Sequence, residues 1–140
     1  MTNKFFTLAL VSSFSLAVLS ATAADKVDTS KLPPASDKKG VTYAKDIKPI
    51  FENACFKCHG EEKQKSKLRL DSLAATLKGG ENGPNVIPGK SADSQLVHSV
   101  ARIMPEDDEN MPPKKKDGTI SALSKEQVGL IRAWIDQGAK

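Results

Sequence analysis

The stretch "ACFKCHG", residues 54–60, holds both cysteines of the 140-residue chain and one of its two histidines. A chain that gathers all its thiols into four consecutive positions and follows them with an imidazole is using them together. Four chemistries compete for Cys55, Cys58 and His59: a disulfide, a redox dithiol, half of a zinc site, and a covalent anchor for a porphyrin.

The first three fit poorly. A bridge across two intervening residues closes a very short loop and constrains little of the unfolded chain. A thioredoxin-type dithiol sits beside a βαβ pattern, and no alternating or β-branched strand runs occur. Structural zinc takes four ligands; two cysteines with His59 and His98 supply the number, but His59 adjoins Cys58 and breaks the usual spacing. The C-x-x-C-H reading uses every residue of the run: Cys55 and Cys58 as thioethers to haem c, one per chain and covalently attached, and His59 as proximal iron ligand.

A second axial ligand is then expected. Met111 is the first choice because Met111-Pro112-Pro113 holds a thioether on a stiff, extended segment. Met104 is the fallback, and His98 is a further alternative more simply placed on a helix face. Arg69 is a possible contact for a haem propionate through its planar fork; an exposed loop arginine is an equally good reading. Phe51, Phe56, Leu70, Ile87, Ile103 and Trp134 are the expected cofactor walls.

Residues 1–24 read as an export signal. Lys4 gives a positive start, Phe5 to Leu19 is mostly apolar, and Ala21-Thr22-Ala23 offers a cleavage pattern. The apolar run falls short of the roughly 20 residues of a membrane span, so no stable membrane anchor is expected after cleavage, and a periplasmic or secreted location follows. Removal leaves 140 − 24 = 116 residues, one small domain, with formal charge 20 − 17 = +3. No basic stripe is interleaved with aromatics, so no nucleic-acid partner is expected. Residues 25–42, rich in Lys, Asp, Ser and Pro, read as a flexible polar tail, which leaves residues 43–140 as the folded domain.

Within that domain Tyr43, Ile47, Ile50, Phe51 and Ala54 recur at helical spacing. Pro49 requires either a start near Asp46 or a bend. Ser124 and Gln127 form a capping box ahead of the stripe Val128, Ile131, Trp134, Ile135, with Gly138 as the stop, which predicts a helix over Lys125–Gln137. Shorter helices are expected over Ser72–Lys78, capped by Asp71, and over Ala92–Arg102 after Ser91. The expected fold is all-α, four or so short helices around one covalently bound haem.

Several segments together resemble one family. DIKPIF-x3-CFKCHG, LRLDS at 68–72, LKGGENGPNVIPGK at 77–90, NMPPK at 110–114 and LSKEQVGLIRAWIDQGA at 123–139 are similar to the class I cytochrome c superfamily, and specifically to planctomycete-type cytochrome c domains. The resemblance implies a cytochrome c-like fold, His59 and Met111 as the axial pair, and first and last helices packed across each other. The insertion KKKDGTISA lengthens the segment beyond the ligand loop. The implied activity is single-electron transfer between redox partner proteins, by a carrier and not an enzyme. Lys57, Lys63, Lys65, Lys67 and Lys114–116 would suit acidic partners. The alternatives are a haem enzyme or gas sensor with a displaceable sixth ligand, or a haem subunit of a larger redox complex.

Overall fold

The computed structural model describes residues 27–140; the expected export signal lies outside the described residues. Five α-helices follow in order: α1 Lys48–Ala54, α2 Phe56–His59, α3 Leu73–Lys78, α4 Gln95–Ala101 and α5 Lys125–Asp136. Short 3-10 turns and loops join them, and no strand occurs among the described residues. None of the described helices is long and apolar enough to cross a membrane.

The segment before α1 resolves the problem set by Pro49. Residues Tyr43–Ile47 form a wide π turn, α1 begins at Lys48, and Pro49 falls in the first α turn. Proline has no N–H to donate, and its ring crowds the carbonyl four residues back; a π turn relieves that contact by shifting the bonding register. Thr42 caps the turn. Its hydroxyl accepts from the Lys45 amide, and the Asp46 carboxylate accepts from the Thr42 amide at 2.8 Å.

The helix α5 follows its capping box. The Ser124 hydroxyl accepts from the Gln127 amide at 3.2 Å, and the Gln127 side-chain oxygen accepts from the Ser124 amide at 2.9 Å. The helix ends at Asp136 with Gln137 as its C-cap, one residue short of the expected span. Val128, Ile131, Trp134 and Ile135 are all buried, each worth about 1.5–3 kcal/mol of transfer free energy for a fully buried large side chain. The first helical stretch meets α5 through its π turn: the Tyr43 ring lies 5.9 Å from Trp134 and 6.3 Å from Phe51. The chain end is tied into the same layer, since the Lys140 carbonyl accepts from the Tyr43 amide at 2.8 Å and from the Trp134 indole at 3.0 Å.

Two helices differ from expectation at their starts. Ser72, not Asp71, caps α3, its hydroxyl accepting from the Ala75 amide at 3.2 Å. The Asp71 carboxylate is already taken by the Arg69 fork at 3.0 and 2.6 Å. The single helix expected over Ala92–Arg102 is a 3-10 turn, Ser91–Asp93, followed by α4. Ser94 causes the break. Its buried hydroxyl donates to the Lys90 carbonyl and accepts from the Ile87 amide, both at 2.9 Å, so it prefers local loop partners to a continuous helix.

The flexible tail expected over residues 25–42 is corrected for residues 27–42, which lie as a strap along α5. The Ser36 amide donates to the Gly129 carbonyl at 2.9 Å, and the Arg132 guanidinium donates to the Pro33 carbonyl. Gln137 accepts from the Val41 amide at 3.2 Å and donates to the Lys38 carbonyl at 2.8 Å. The strap approaches so closely that a Cβ on Gly129 would stand 2.7 Å from the Pro34 carbonyl oxygen. Composition hides this segment because backbone hydrogen bonds hold most of it, and Val41 is its one deeply buried apolar side chain.

Candidate functional site

Cys55 closes α1, and α2 carries the rest of the motif. The Cys55 carbonyl accepts from the Cys58 amide at 3.0 Å and from the His59 amide at 2.9 Å, so the two thiols and the imidazole ride on one helical turn. Glycine is required next: a Cβ on Gly60 would stand 2.6 Å from the Phe56 carbonyl oxygen. From Gly60 the chain doubles back. The Leu70 amide donates to the His59 carbonyl at 2.8 Å, and the Tyr43 hydroxyl donates to the Leu70 carbonyl at 2.7 Å, which couples the motif to the aromatic core.

A cavity of about 580 Å³ opens beside this turn, within the size range of small-molecule and cofactor sites. Cys55, Cys58 and His59 line it from α2, and Met111, Pro112 and Pro113 line it from the loop before α5. Leu68, Leu70, Leu96 and Val100 supply apolar surface. Of the six expected wall residues only Leu70 is among the lining. Phe51 and Trp134 are fully buried in the core behind it, and Ile87 is 40% exposed. The aromatics that composition assigns to the cofactor instead hold α1 and α5 together, and aliphatic side chains from α4 and the 68–70 segment take their place.

Met111 is the methionine that reaches the cavity. Its amide donates to the Ser99 carbonyl at 2.9 Å, and the next residue's carbonyl, Pro112, accepts from the Arg102 guanidinium at 2.7 Å. Asn110, nearly buried, braces the loop: its side-chain oxygen accepts from the Met104 amide, and its nitrogen donates to the Met104 and Glu106 carbonyls, all at 3.1 Å. Met104 is not part of the lining. His98 also lies outside it, with Nε2 2.6 Å from the Ala92 carbonyl oxygen. Arg69 lies outside it as well, paired with Asp71.

The donor atoms suit a soft, transition-metal centre. Both thiols are free. Burial, with the neighbouring Cys58 second, pushes the Cys55 thiol up to about 12. Burial also holds the His59 imidazole below its ordinary range, opposed by the backbone of Leu68 and Lys65, and so favours the neutral form that ligates metals. Neither backbone group closes a hydrogen bond to His59 Nδ1, which is buried without a partner. Neutral imidazole, thiols and thioether around one largely apolar cavity with a polar rim fit a covalently attached haem. Among the described residues no three His, Cys, Asp or Glu side chains gather as a separate metal site, which leaves the zinc reading without a ligand set.

Sequence reading missed Leu68, Leu96, Ser99 and Asn85 as parts of this site. No local signal marks them, since each reaches the cavity through tertiary packing with residues that lie far away in sequence.

Residues 55–115 match the family model described as Planctomycete cytochrome C. No curated protein and no solved structure matches the chain. The all-α fold is accordingly cytochrome c-like. The match points to haem binding and electron transfer as the general chemistry of this segment, and the Cys55–Cys58 spacing fits haem attachment.

Proposed function

We propose that the chain is a monohaem c-type cytochrome that carries single electrons between protein partners outside the cytoplasm, after removal of residues 1–24. The observation that carries this reading is the presence of Cys55, Cys58, His59 and Met111 on one cavity. In the proposal Cys55 and Cys58 would fix the cofactor through thioethers, and His59 and Met111 would ligate its iron.

Haem c would supply a one-electron couple, and a thioether ligand to its iron would raise the potential. The chain's own residues do the rest. Leu68, Leu70, Leu96 and Val100 keep water from the site. Ser99, Asn110 and Arg102 hold the Met111 loop, so that gain or loss of an electron moves few atoms. With His59 and Met111 both ligating the iron, no place would be left for a substrate, which supports a carrier over an enzyme. Arg69 is engaged by Asp71 and is not needed by the proposal.

Lys57 and Lys65 lie at the cavity, and Lys63, Lys67, Lys115 and Lys116 are exposed nearby in sequence. They support an acidic redox partner docking over the cofactor edge.

A potentiometric titration of the purified protein tests the reading. The expected result is a reversible couple with a slope of about 59 mV per decade, the one-electron value, and no carbon monoxide binding to the ferrous form. Rapid carbon monoxide binding would instead favour a sensor or enzyme.

A further inference from the structure

Asn85 is the polar residue of the cavity that the electron-transfer reading leaves without a task. It is 9% exposed, it lines the cavity, and its side-chain oxygen is buried without a hydrogen-bond partner. Its backbone is fixed, since its carbonyl accepts from the Leu96 amide at 2.9 Å at the start of α4. A pinned, buried amide with free hydrogen-bonding capacity is costly unless something else satisfies it.

Its surroundings indicate what that is. Asn82, Asn85 and Gln95 bring three carboxamides to the cavity, and Ser66 and Lys65 stand next to this rim: the Ser66 carbonyl accepts from the Glu81 amide at 2.8 Å. The remaining lining near Leu68, Leu96 and Val100 is apolar. The cavity is therefore amphiphilic, with one amide-rich edge. An amphiphilic porphyrin has an apolar body and two carboxylates, and these carboxylates match that edge.

We propose that the Asn85 side-chain amide donates to a carboxylate of the porphyrin, taking the part that sequence reading gave to Arg69. The inference rests on the haem reading of the site. The orientation of the amide follows from its partner, because its oxygen and nitrogen exchange places by a simple flip. A donor aimed at a carboxylate favours its ionised form and lowers its pKa.

The test uses the holoprotein, once a haemochrome assay has shown covalent haem in the unaltered chain. A colourless unaltered protein would overturn the haem reading itself, separately from the Asn85 assignment. The potential falls as pH rises through the ionisation of a porphyrin carboxylate, because the anion stabilises ferric iron. In Asn85→Leu this fall is expected to move up by about one pH unit, since the ionised form loses its donor. The charged groups on the cavity, Lys57, Lys65, Glu81, Asp108 and Glu109, are the same in both proteins, so the difference isolates the amide. Haem-loaded Asn85→Leu with an unchanged pH profile would overturn the proposal. If that variant does not mature, NMR of the unaltered protein decides. The Asn85 side-chain amide protons are expected to exchange slowly and to follow the carboxylate titration; fast exchange with no titration would sink the assignment.

Discussion

The amide of Met111 donates to the carbonyl of Ser99 at 2.9 Å, which fastens the loop carrying the proposed distal ligand to the last turn of α4. That carbonyl also accepts from the Arg102 amide at 3.2 Å, so the end of the helix and the ligand loop share one acceptor. The proposed ligand is thus held at its backbone by a rigid element, and α4 also supplies Leu96 and Val100 to the cavity wall.

Replacement of this side chain separates the two candidate methionines. Met111→Ala is expected to lower the reduction potential, abolish the far-red band of thioether-bound ferric haem, and strengthen imidazole binding about tenfold or more, a change of at least about 1.4 kcal/mol. Met104→Ala, outside the cavity, should leave all three unchanged. The reverse pattern in titrations of the two variants would transfer the ligand role to Met104.

The brace around Met111 has its own signature. Asn110→Ala removes three hydrogen bonds and strands the Met104 amide and two carbonyls. Met104 is only half-buried and Glu106 is exposed, so each lost bond costs nearer the net worth of a hydrogen bond, about 0.5–1.5 kcal/mol. Denaturant unfolding should show a loss of that order, and imidazole should displace the axial thioether more readily than in the unaltered protein.

The strap depends on the absence of a side chain at Gly129. Gly129→Ala places a methyl group 2.7 Å from the Pro34 carbonyl oxygen. Overpacking of this kind costs about 1–3 kcal/mol. Limited proteolysis is expected to cut near residues 33–38 in this variant and to spare the unaltered chain. Equal resistance would mean that the strap does not need the close approach.

The strap is also expected to be sensitive to acid. The Lys38 ammonium and then the Thr42 amide hold the Asp46 carboxyl below its ordinary value of 3.8. A carboxyl depressed in the folded state stabilises above its unfolded pKa, and the benefit is lost as pH falls through the folded value. Unfolding experiments should therefore show a decline below about pH 4 that is shallower in Asp46→Asn.

Legibility in the sequence followed the range of the interactions. The turn bearing Cys55, Cys58 and His59 was readable because its residues are contiguous in sequence and ride on a single helical turn. The start of α5 was readable because Ser124 and Gln127 satisfy each other within one turn. Ser94 breaks the helix expected over Ala92–Arg102 through bonds to Lys90 and Ile87, partners that a periodicity argument does not weigh. The strap along α5 and the amide of Asn85 depend on contacts between distant segments, where residue type carries almost no information. Trp134 and Phe51 were correctly read as buried, but their partner is the helix layer and not the cavity.

The central claim is covalent attachment of a porphyrin at one turn of α2. Its most direct measurement is mass spectrometry of the peptide containing residues 55–59, from protein matured in a host competent for cytochrome c assembly and then fully denatured. The account predicts one haem retained on that peptide through both Cys55 and Cys58. A peptide of unmodified mass, with its thiols free or oxidised to a disulfide, would contradict it.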